Sequence, residues 1–228
     1  GRHGSRYSSN SSSYKYLLSV LEPAFENGGL TSLGVSVYER LVIAAADAKG
    51  RDAGLTKVGE QEHRGIAERM YWNCPEIFRD GAIIECRSSE VPRSILSMAA
   101  NNERIRELNQ EINCNRSAFV GYGRILRNKK YRDEQSENLD VLKRSYFRNL
   151  EPDRLIASIF LTEAASRMDE KAKEKFMKSM YYAWQITDCT AHTGVRFDEI
   201  FTPEELFVLW KAYNSGNYIK CANSKEHR

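Results

Sequence analysis

The sequence lacks several features that would assign it to a familiar class. It has no run of about 18 apolar residues, so we predict no membrane-spanning helix. Its five cysteines, at positions 74, 86, 114, 189 and 221, include no Cys-x-x-Cys pair and no zinc-ligand spacing. Such an odd, scattered set is most simply interpreted as buried small hydrophobic side chains, and one or two disulfides remain possible if the protein is exported.

A strong excess of one charge is also absent. The chain has 34 basic and 31 acidic residues, for a formal net charge of +3. General nucleic-acid binding needs a basic excess or stripe, which this balance does not provide. Gly121-Tyr122-Gly123 does not make a nucleotide-binding loop, because no third glycine and no strand-to-helix pattern accompanies it. We therefore predict no nucleic-acid partner.

What the sequence does have is a basic stretch at its start, Gly1-Arg2-His3-Gly4-Ser5-Arg6-Tyr7. Guanidinium groups match the oxygens of a phosphate with paired donors. A neutral imidazole is a competent nucleophile toward phosphorus. We expect Gly4 to leave room for a bound phosphate and to allow a backbone turn that other residues avoid. The alternative is an exposed basic tail that happens to carry a histidine.

Three segments, in order along the chain, resemble the histidine acid phosphatases, which include acid phosphatases, phytases and multiple inositol polyphosphate phosphatases. Arg2-His3-Gly4-x-Arg6 resembles their signature, and its second arginine separates it from the related phosphoglycerate mutase branch. Leu55-Thr56-x-x-Gly59 resembles a helix entry of the family. Residues 86–98 resemble the segment in which a strand, a short loop and a helix present another phosphate-binding arginine.

The resemblance implies the site residues. His3 is the nucleophile, and Arg2, Arg6 and Arg93 bind the phosphate. Independently, we expect Ser88 or Ser89 to cap a helix with Pro92 in its first turn, which puts Arg93 at a helix N-terminus that favours an anion. Arg87, at the end of the preceding strand, is the fallback candidate. No metal and no cofactor are expected, because the arginines supply the positive charge.

The resemblance also implies a fold: an α/β protein with a three-layer core like that of phosphoglycerate mutase and an inserted helical cap. We assign residues 1–118 to the core and residues 119–228 to the cap. Residues 7–10 and the two serines before Arg93 look closest to bacterial inositol polyphosphate phosphatases, and residues 201–206 resemble bacterial phytase-like members.

The activity implied by the resemblance is hydrolysis of phosphomonoesters through a phosphohistidine, with inositol polyphosphates such as phytate as the substrates. The implied location is the periplasm or the cell exterior. Two alternatives stay open: a catalytically silent phosphate-binding or interaction module, and a broad-specificity acid phosphatase. No oligomeric state is predicted.

The proton donor of the family belongs to a His-Asp or His-Ala-Glu segment after the cap, and no such segment occurs here. We therefore expect an N-terminal part of the enzyme, cut before Gly1, with the acid and further strands beyond Arg228. Alone, it should expose apolar surface and show negligible turnover. His192, in an expected loop, is not assigned as the acid. His63 is expected to be structural, because it has no metal-ligand partner at i+3 or i+4.

Helical periodicity and capping residues predict most of the remaining elements. The segment 81–86 is a predicted strand, and 113–128 is expected to be irregular. The basic stretch 124–148 is a solvated helix surface or, alternatively, holds the extra phosphates of a substrate. The predicted helices span residues 14–25, one after Thr31 with Val35, Tyr38, Leu41 and Val42 on its apolar face, 56–72, 88–108, 134–147, 152–168, 170–187 and one beginning at 202.

Overall fold

The computed structural model describes residues 1–9, 11–121 and 136–221. This part of the chain is mostly helical, with one parallel sheet of two strands, so it is an α/β protein. Residues 122–135, which include the end of the predicted irregular segment and about half of the basic stretch, lie outside the described residues. The elements in chain order are α1 (Ser12–Glu26), α2 (Ser32–Ala48), α3 (Lys57–Asn73), β1 (Ile83–Ser88), α4 (Pro92–Leu108), β2 (Asn113–Ala118), α5 (Ser136–Phe147), α6 (Pro152–Ile159), α7 (Thr162–Ala165), α8 (Glu170–Trp184), a 3₁₀ helix (Thr187–Thr193) and α9 (Pro203–Cys221).

The chain divides into two compact units, and the division differs from the expected boundary at residue 118. Residues 11–47, assigned above to the core, group with the C-terminal helices. Their apolar side chains are buried there by helices rather than by a sheet: α1 packs on α8. Of the described residues, 1–9, 48–121 and 188–194 form the first unit, and 11–47, 136–187 and 195–221 form the second.

The first unit is built on a β1–α4–β2 crossover. The two strands pair in parallel, with Ile83 opposite Asn113, and α3 packs along α4. A small core of Ala67, Phe78, Ile105 and Ile112 holds these elements together. Several apolar side chains of this unit are more than half exposed, among them Trp72, Ile77 and Ile83.

Strand β2 contradicts the expectation of an irregular segment after residue 113. Its residues, Asn-Cys-Asn-Arg-Ser-Ala, have no apolar alternation, and most of them are exposed. The segment is a strand because its backbone pairs with β1 along all six residues. Long-range pairing of this kind leaves no periodicity in the sequence.

The second unit is all-helical and has a core rich in large side chains. Leu17 and Leu21 of α1 and Phe176 and Met177 of α8 are fully buried. The ring of Tyr181 lies between those of Trp184 and Tyr213, with centroid distances of 5.6 and 5.4 Å. Helix α9 packs on α5, and α8 packs on α1, α6 and α9.

Capping chemistry locates two helix starts as predicted. Thr56 precedes α3, and its hydroxyl accepts a hydrogen bond from the Gly59 N–H at 3.1 Å. Thr202 and Glu205 satisfy each other at the start of α9: each backbone N–H donates to the side chain of the other, at 2.9 and 3.2 Å. The sequence signals for both caps were local, which is why they were readable.

Other helix predictions were wrong in detail. The single helix expected over 152–168 is broken, because Phe160 is extended and its backbone bridges Leu30. The apolar face of α2 is rotated from the expected one: Val37, Leu41 and Ala44 are buried, whereas Val42 is 43% exposed.

Among the described residues, no helix is both long and apolar enough to cross a bilayer. Four of the five cysteines, Cys74, Cys86, Cys114 and Cys189, are free thiols of intermediate burial. These four side chains are therefore less buried than the sequence interpretation assumed.

Candidate functional site

The site is built on the first eight residues, which we call the N-terminal loop. The loop runs antiparallel to residues 53–56: Arg6 bridges Leu55, the Tyr7 N–H donates to the Gly54 carbonyl at 2.9 Å, and the Thr56 N–H donates to the Ser5 carbonyl at 3.0 Å. Backbone pairing therefore fixes the loop directly before the start of α3.

Gly4 has a different role from the one expected. A Cβ atom at Gly4 would lie 2.2 Å from the carbonyl oxygen of Gly59, and one at Gly59 would lie 2.1 Å from the carbonyl oxygen of Ser5. Gly4 is not one of the glycines with positive φ. The expectation of an unusual turn was wrong, and glycine is needed here because the loop backbone lies directly on α3. Gly4 also lines the smaller of the two cavities described below.

Side chains from α3 and α4 hold the loop on both sides of His3. His63 donates from Nε2 to the Arg2 carbonyl at 3.0 Å, a structural role of the kind expected. Glu62 accepts from the Ser5 N–H and from the Ser5 hydroxyl, each at 2.7 Å. On the α4 side, the Gly4 N–H donates to the Ser97 hydroxyl at 3.1 Å.

The imidazole of His3 is oriented by its own loop. Nδ1 lies 2.8 Å from the Gly4 carbonyl, and because a carbonyl oxygen only accepts, Nδ1 must carry the proton. Nε2 is then the nitrogen with a free lone pair. Burial lowers the pKa of His3, the bond to Gly4 raises it, and the charges of Arg93, Arg2 and Arg6 lower it further, with a net decrease. The ring is therefore neutral at neutral pH.

The structure brings the three expected arginines to His3. Besides acting on the histidine, Arg93 and Arg2 lower the pKa of Arg6, after the larger effect of its burial. Three guanidinium groups within electrostatic reach of one another repel, and a bound anion relieves that repulsion. Arg6 itself donates to the Tyr7 carbonyl at 2.8 Å. Within the described part of the chain, none of the three forms an ion pair with a carboxylate.

Arg93 lies in the first turn of α4 and is only partly satisfied. Its Nε atom is buried and has no hydrogen-bond partner among the described residues. The helix begins after Val91, whose side chain cannot cap it, so the expectation of a cap by Ser88 or Ser89 was wrong. An uncapped helix start beside an unsatisfied guanidinium is a favourable place for an anion.

Two cavities open at the loop. One of about 450 Å³ is lined by Arg2 and His3, by residues 86–89 at the end of β1, and by Ser94 and Ser97 of α4. The other, of about 350 Å³, is lined by Arg2 and His3 together with Glu62, His63 and Arg69 of α3. Arg87, the fallback arginine, lines the first cavity, whereas Arg93 reaches His3 electrostatically without lining either one.

Sequence reasoning missed Glu62, Ser97 and Asn102. Glu62 and Ser97 contact the loop only because α3 and α4 pack beside it, which no local pattern signals. Asn102 is 1% exposed and lines the larger cavity. It accepts from the Cys86 thiol at 3.0 Å, and its Nδ2 has no partner among the residues that the structure describes.

His192 lies on the 3₁₀ helix Thr187–Thr193, rather than in the loop expected for it, and it is exposed. It lines neither cavity. The described residues hold no group of three or more His, Cys, Asp or Glu side chains that could bind a metal ion.

Comparisons with known proteins add no family to this picture. No protein-family model matches the chain, and a search of the curated proteins finds no match. The resemblance to histidine acid phosphatases therefore depends on the sequence segments 2–6, 55–59 and 86–98 alone.

Proposed function

We propose that the chain carries the nucleophile and phosphate-binding groups of a phosphomonoester hydrolase of the histidine acid phosphatase kind. The finer fold proposed with it is a phosphoglycerate mutase-like core with an inserted helical cap. One observation carries the proposal: Nδ1 of His3 is already bound to the Gly4 carbonyl at 2.8 Å, and the charges of Arg93, Arg2 and Arg6 all lower the pKa of the ring. A neutral nucleophile beside three cations suits a dianionic substrate.

The chemistry follows in two steps. Nε2 of His3 attacks phosphorus in line with the ester oxygen, a P–N bond forms, and the P–O bond to the leaving group breaks. The departing oxygen takes a proton from an acid or leaves as a stable anion. Water then attacks the phosphohistidine, the P–N bond breaks, and inorganic phosphate is released. The three arginines stabilise the charge on the equatorial oxygens in both steps.

The proposed substrates are inositol polyphosphates such as phytate. Support comes from cations beyond the three at His3: Arg87 lines the larger cavity and Arg69 the smaller one, each with Arg2. A substrate with several phosphates can contact such additional charges while one phosphate lies at His3. A panel that compares phytate with simple monoesters at equal concentration tests this preference.

The nucleophile is tested with 2,4-dinitrophenyl phosphate, whose leaving group departs as a stable phenolate and needs no acid. Rapid mixing with the 228-residue chain should give a burst of about one phenolate per chain and an acid-labile phosphoenzyme. The H3A variant should give no burst and no phosphoenzyme while retaining the fold. A burst of the same size in H3A would reject His3 as the nucleophile.

A second candidate, a silent phosphate-binding module, is favoured by one observation. Of the described residues that line the two cavities, Glu62 is the only carboxylate, and both of its oxygens accept bonds from Ser5. It is therefore held as an acceptor and not as a proton donor. Phosphate binding without any burst from the dinitrophenyl ester would select this candidate.

A further inference from the structure

We propose that Ser97 is a positioning residue that aligns the imidazole of His3 with Arg93. The proposal rests on the proposed function, because it concerns how the nucleophile and one of its phosphate-binding arginines are kept in register. Ser97 lies on α4, one turn after Arg93, and is 2% exposed.

The hydroxyl of Ser97 has two assigned bonds. It donates its proton to the Arg93 carbonyl at 2.8 Å, across one turn of the same helix. Because the proton is directed there, the oxygen presents a lone pair elsewhere, and the Gly4 N–H donates to it at 3.1 Å. The hydroxyl therefore joins the first turn of α4 to the residue that follows the nucleophile.

The connection continues from Gly4 to the ring. The Gly4 carbonyl accepts from Nδ1 of His3 at 2.8 Å, so both backbone groups of Gly4 are used, one toward Ser97 and one toward the imidazole. Arg93, Ser97, Gly4 and His3 thus form one continuous series. The guanidinium at one end is carried by the same helical turn whose carbonyl begins the series.

The N-terminal loop cannot move toward α3 to replace the bond to Ser97. Its opposite side lies against Gly59 of α3, where even a Cβ atom on Gly4 would be 2.2 Å from a carbonyl oxygen. The Gly4 residue is buried, and Ser97 is the side chain to which its N–H donates, so removal of the hydroxyl leaves that N–H without its acceptor. Removing the hydroxyl should therefore move the Gly4 peptide, and with it the acceptor that fixes the ring.

The consequence for the site is specific. Loss of the Ser97 hydroxyl removes none of the three arginines and none of the contacts that Glu62 and His63 make with the loop, so phosphate still binds. What changes is the direction of the Nε2 lone pair, and misplacement of a reacting group by about 1 Å lowers a rate by about 100-fold. A positioning role therefore predicts a fall in the phosphorylation rate with little change in phosphate affinity.

The test compares wild type, S97C and S97A with S179A, a control at another buried serine, in the second unit. The first readout is the burst rate with 2,4-dinitrophenyl phosphate, expected to fall slightly in S97C, about 100-fold in S97A and not at all in S179A. The second is titration with inorganic phosphate, expected to give a Kd within about threefold of wild type in every variant. An S97A chain that keeps its melting curve and its burst rate would overturn the proposal.

A third readout does not depend on catalysis. In chain labelled with ¹⁵N-histidine at about pH 8, His3, identified by its absence from H3A, should be a pure Nδ1–H tautomer in wild type. S97A should show a mixture with the Nε2–H tautomer, and S179A should not. An unchanged tautomer in S97A overturns the positioning role.

These readouts separate the two proposals. A tautomer shift without a phosphoenzyme in any variant rejects the phosphatase chemistry and keeps the role of Ser97. A His3-dependent burst that S97A leaves unchanged rejects the role of Ser97 alone. If S97A does not fold, S97C carries the same comparison, since it is nearly isosteric and its thiol is a weak hydrogen-bonding group.

Discussion

Both compact units pair cations with carboxylates, and the candidate site in the first unit is the exception. In the second unit, Arg40 pairs with Glu199, Arg154 with Glu205 at 2.5 Å, and Lys173 with Asp153 at 2.7 Å. In the first unit, Arg64 and Arg104 pair with Glu107. By contrast, the three arginines at His3 have no carboxylate partner among the described residues.

The two units also differ in how many large side chains they bury. The second unit buries large aromatic and aliphatic side chains completely, whereas the named core of the first unit has only four buried residues. Packing thus stabilises one unit, while polar contacts to a backbone loop organise the candidate site in the other. In this chain, arginines without carboxylate partners and closely packed glycines indicate the candidate site, whereas hydrophobic periodicity indicates only the packed helices.

The largest effect on stability is expected in the second unit. Phe176 is fully buried and packs edge-on against Phe160 at 5.3 Å. F176A should lower the free energy of unfolding by about 3–5 kcal/mol. Chemical denaturation measures the loss, and the His3 resonances should not shift under native conditions. If F176A lowered the free energy of unfolding by less than the Gly4→Ala substitution in the first unit does, the expected difference in packing between the units would be contradicted.

A smaller loss of stability with a complete loss of the site is expected for Gly4. The added methyl group meets the backbone of Gly59, which has no flexible end to move away. G4A should destabilise the chain by about 1–3 kcal/mol and abolish phosphate binding in a calorimetric titration. G28A is the matched control, because the space at Gly28 is open, although its positive φ of 67° adds some strain. Unimpaired phosphate binding by G4A would contradict the close approach.

Removal of an unmatched arginine should weaken binding without weakening the fold. R93M should raise the Kd for inorganic phosphate by about 10- to 100-fold, because a charge-assisted bond is lost. R104M on the same helix removes a guanidinium that is engaged by Glu68 and Glu107. That control should bind phosphate normally, and equal losses in the two variants would show that the effect is only one of net charge.

Two capping threonines offer a matched pair, one in each unit. T202A and T56A should each cost about 1 kcal/mol of stability. Thr56 differs because its hydroxyl also donates to the Ser5 carbonyl at 3.0 Å. T56A should therefore also weaken phosphate binding severalfold, whereas T202A should not. Equal phosphate affinity in the two variants would show that the bond from Thr56 to Ser5 does not help to position the N-terminal loop for phosphate binding.

The smallest expected effect is a shift in pH dependence. Burial and the charges of Arg93, Arg2 and Arg6 lower the pKa of His3, so its NMR titration midpoint should lie below the ordinary value of about 6.5. Phosphorylation needs the neutral ring, so its rate should rise with pH through that midpoint and be level by about pH 7. R93M should move the midpoint upward. A midpoint above the ordinary value in wild type would contradict the assigned surroundings.

The lowered pKa of His3 also makes the stability of the folded chain depend on pH. The unfolded chain takes up a proton at His3 more readily than the folded chain does. The contribution of this residue to stability is therefore present above about pH 6.5 and is lost as pH falls toward the folded pKa.

Much of the helical structure could be predicted from short-range patterns in the sequence. The caps at Thr56 and Thr202 and the apolar spacing of α1 act over a few residues, so they are visible in the sequence. Strand β2 was not visible, because its polar residues become a strand only through pairing with β1. The break at Phe160 was missed for the same reason, since a contact with Leu30 decides it.

The candidate site divides in the same way. His3 and the arginines could be proposed from their types and spacing, because the chemistry of phosphate requires such groups. Ser97 and Glu62 could not, because a serine or a glutamate on a helix is ordinary until the neighbouring backbone is known. The role of Gly4 was wrong for a related reason: its partner, Gly59, is remote in sequence.

The close approach of the Gly4 and Gly59 backbones constrains which residues can occupy these two positions in related sequences. Neither position can gain a side chain while the two backbones keep their places, so both should remain glycine wherever the loop lies on α3. A related chain that retains Arg-His-Gly but carries a larger residue at position 59 should have a displaced histidine. Position 59 can therefore be used to sort intact sites from decayed ones in sequences for which no structure is known.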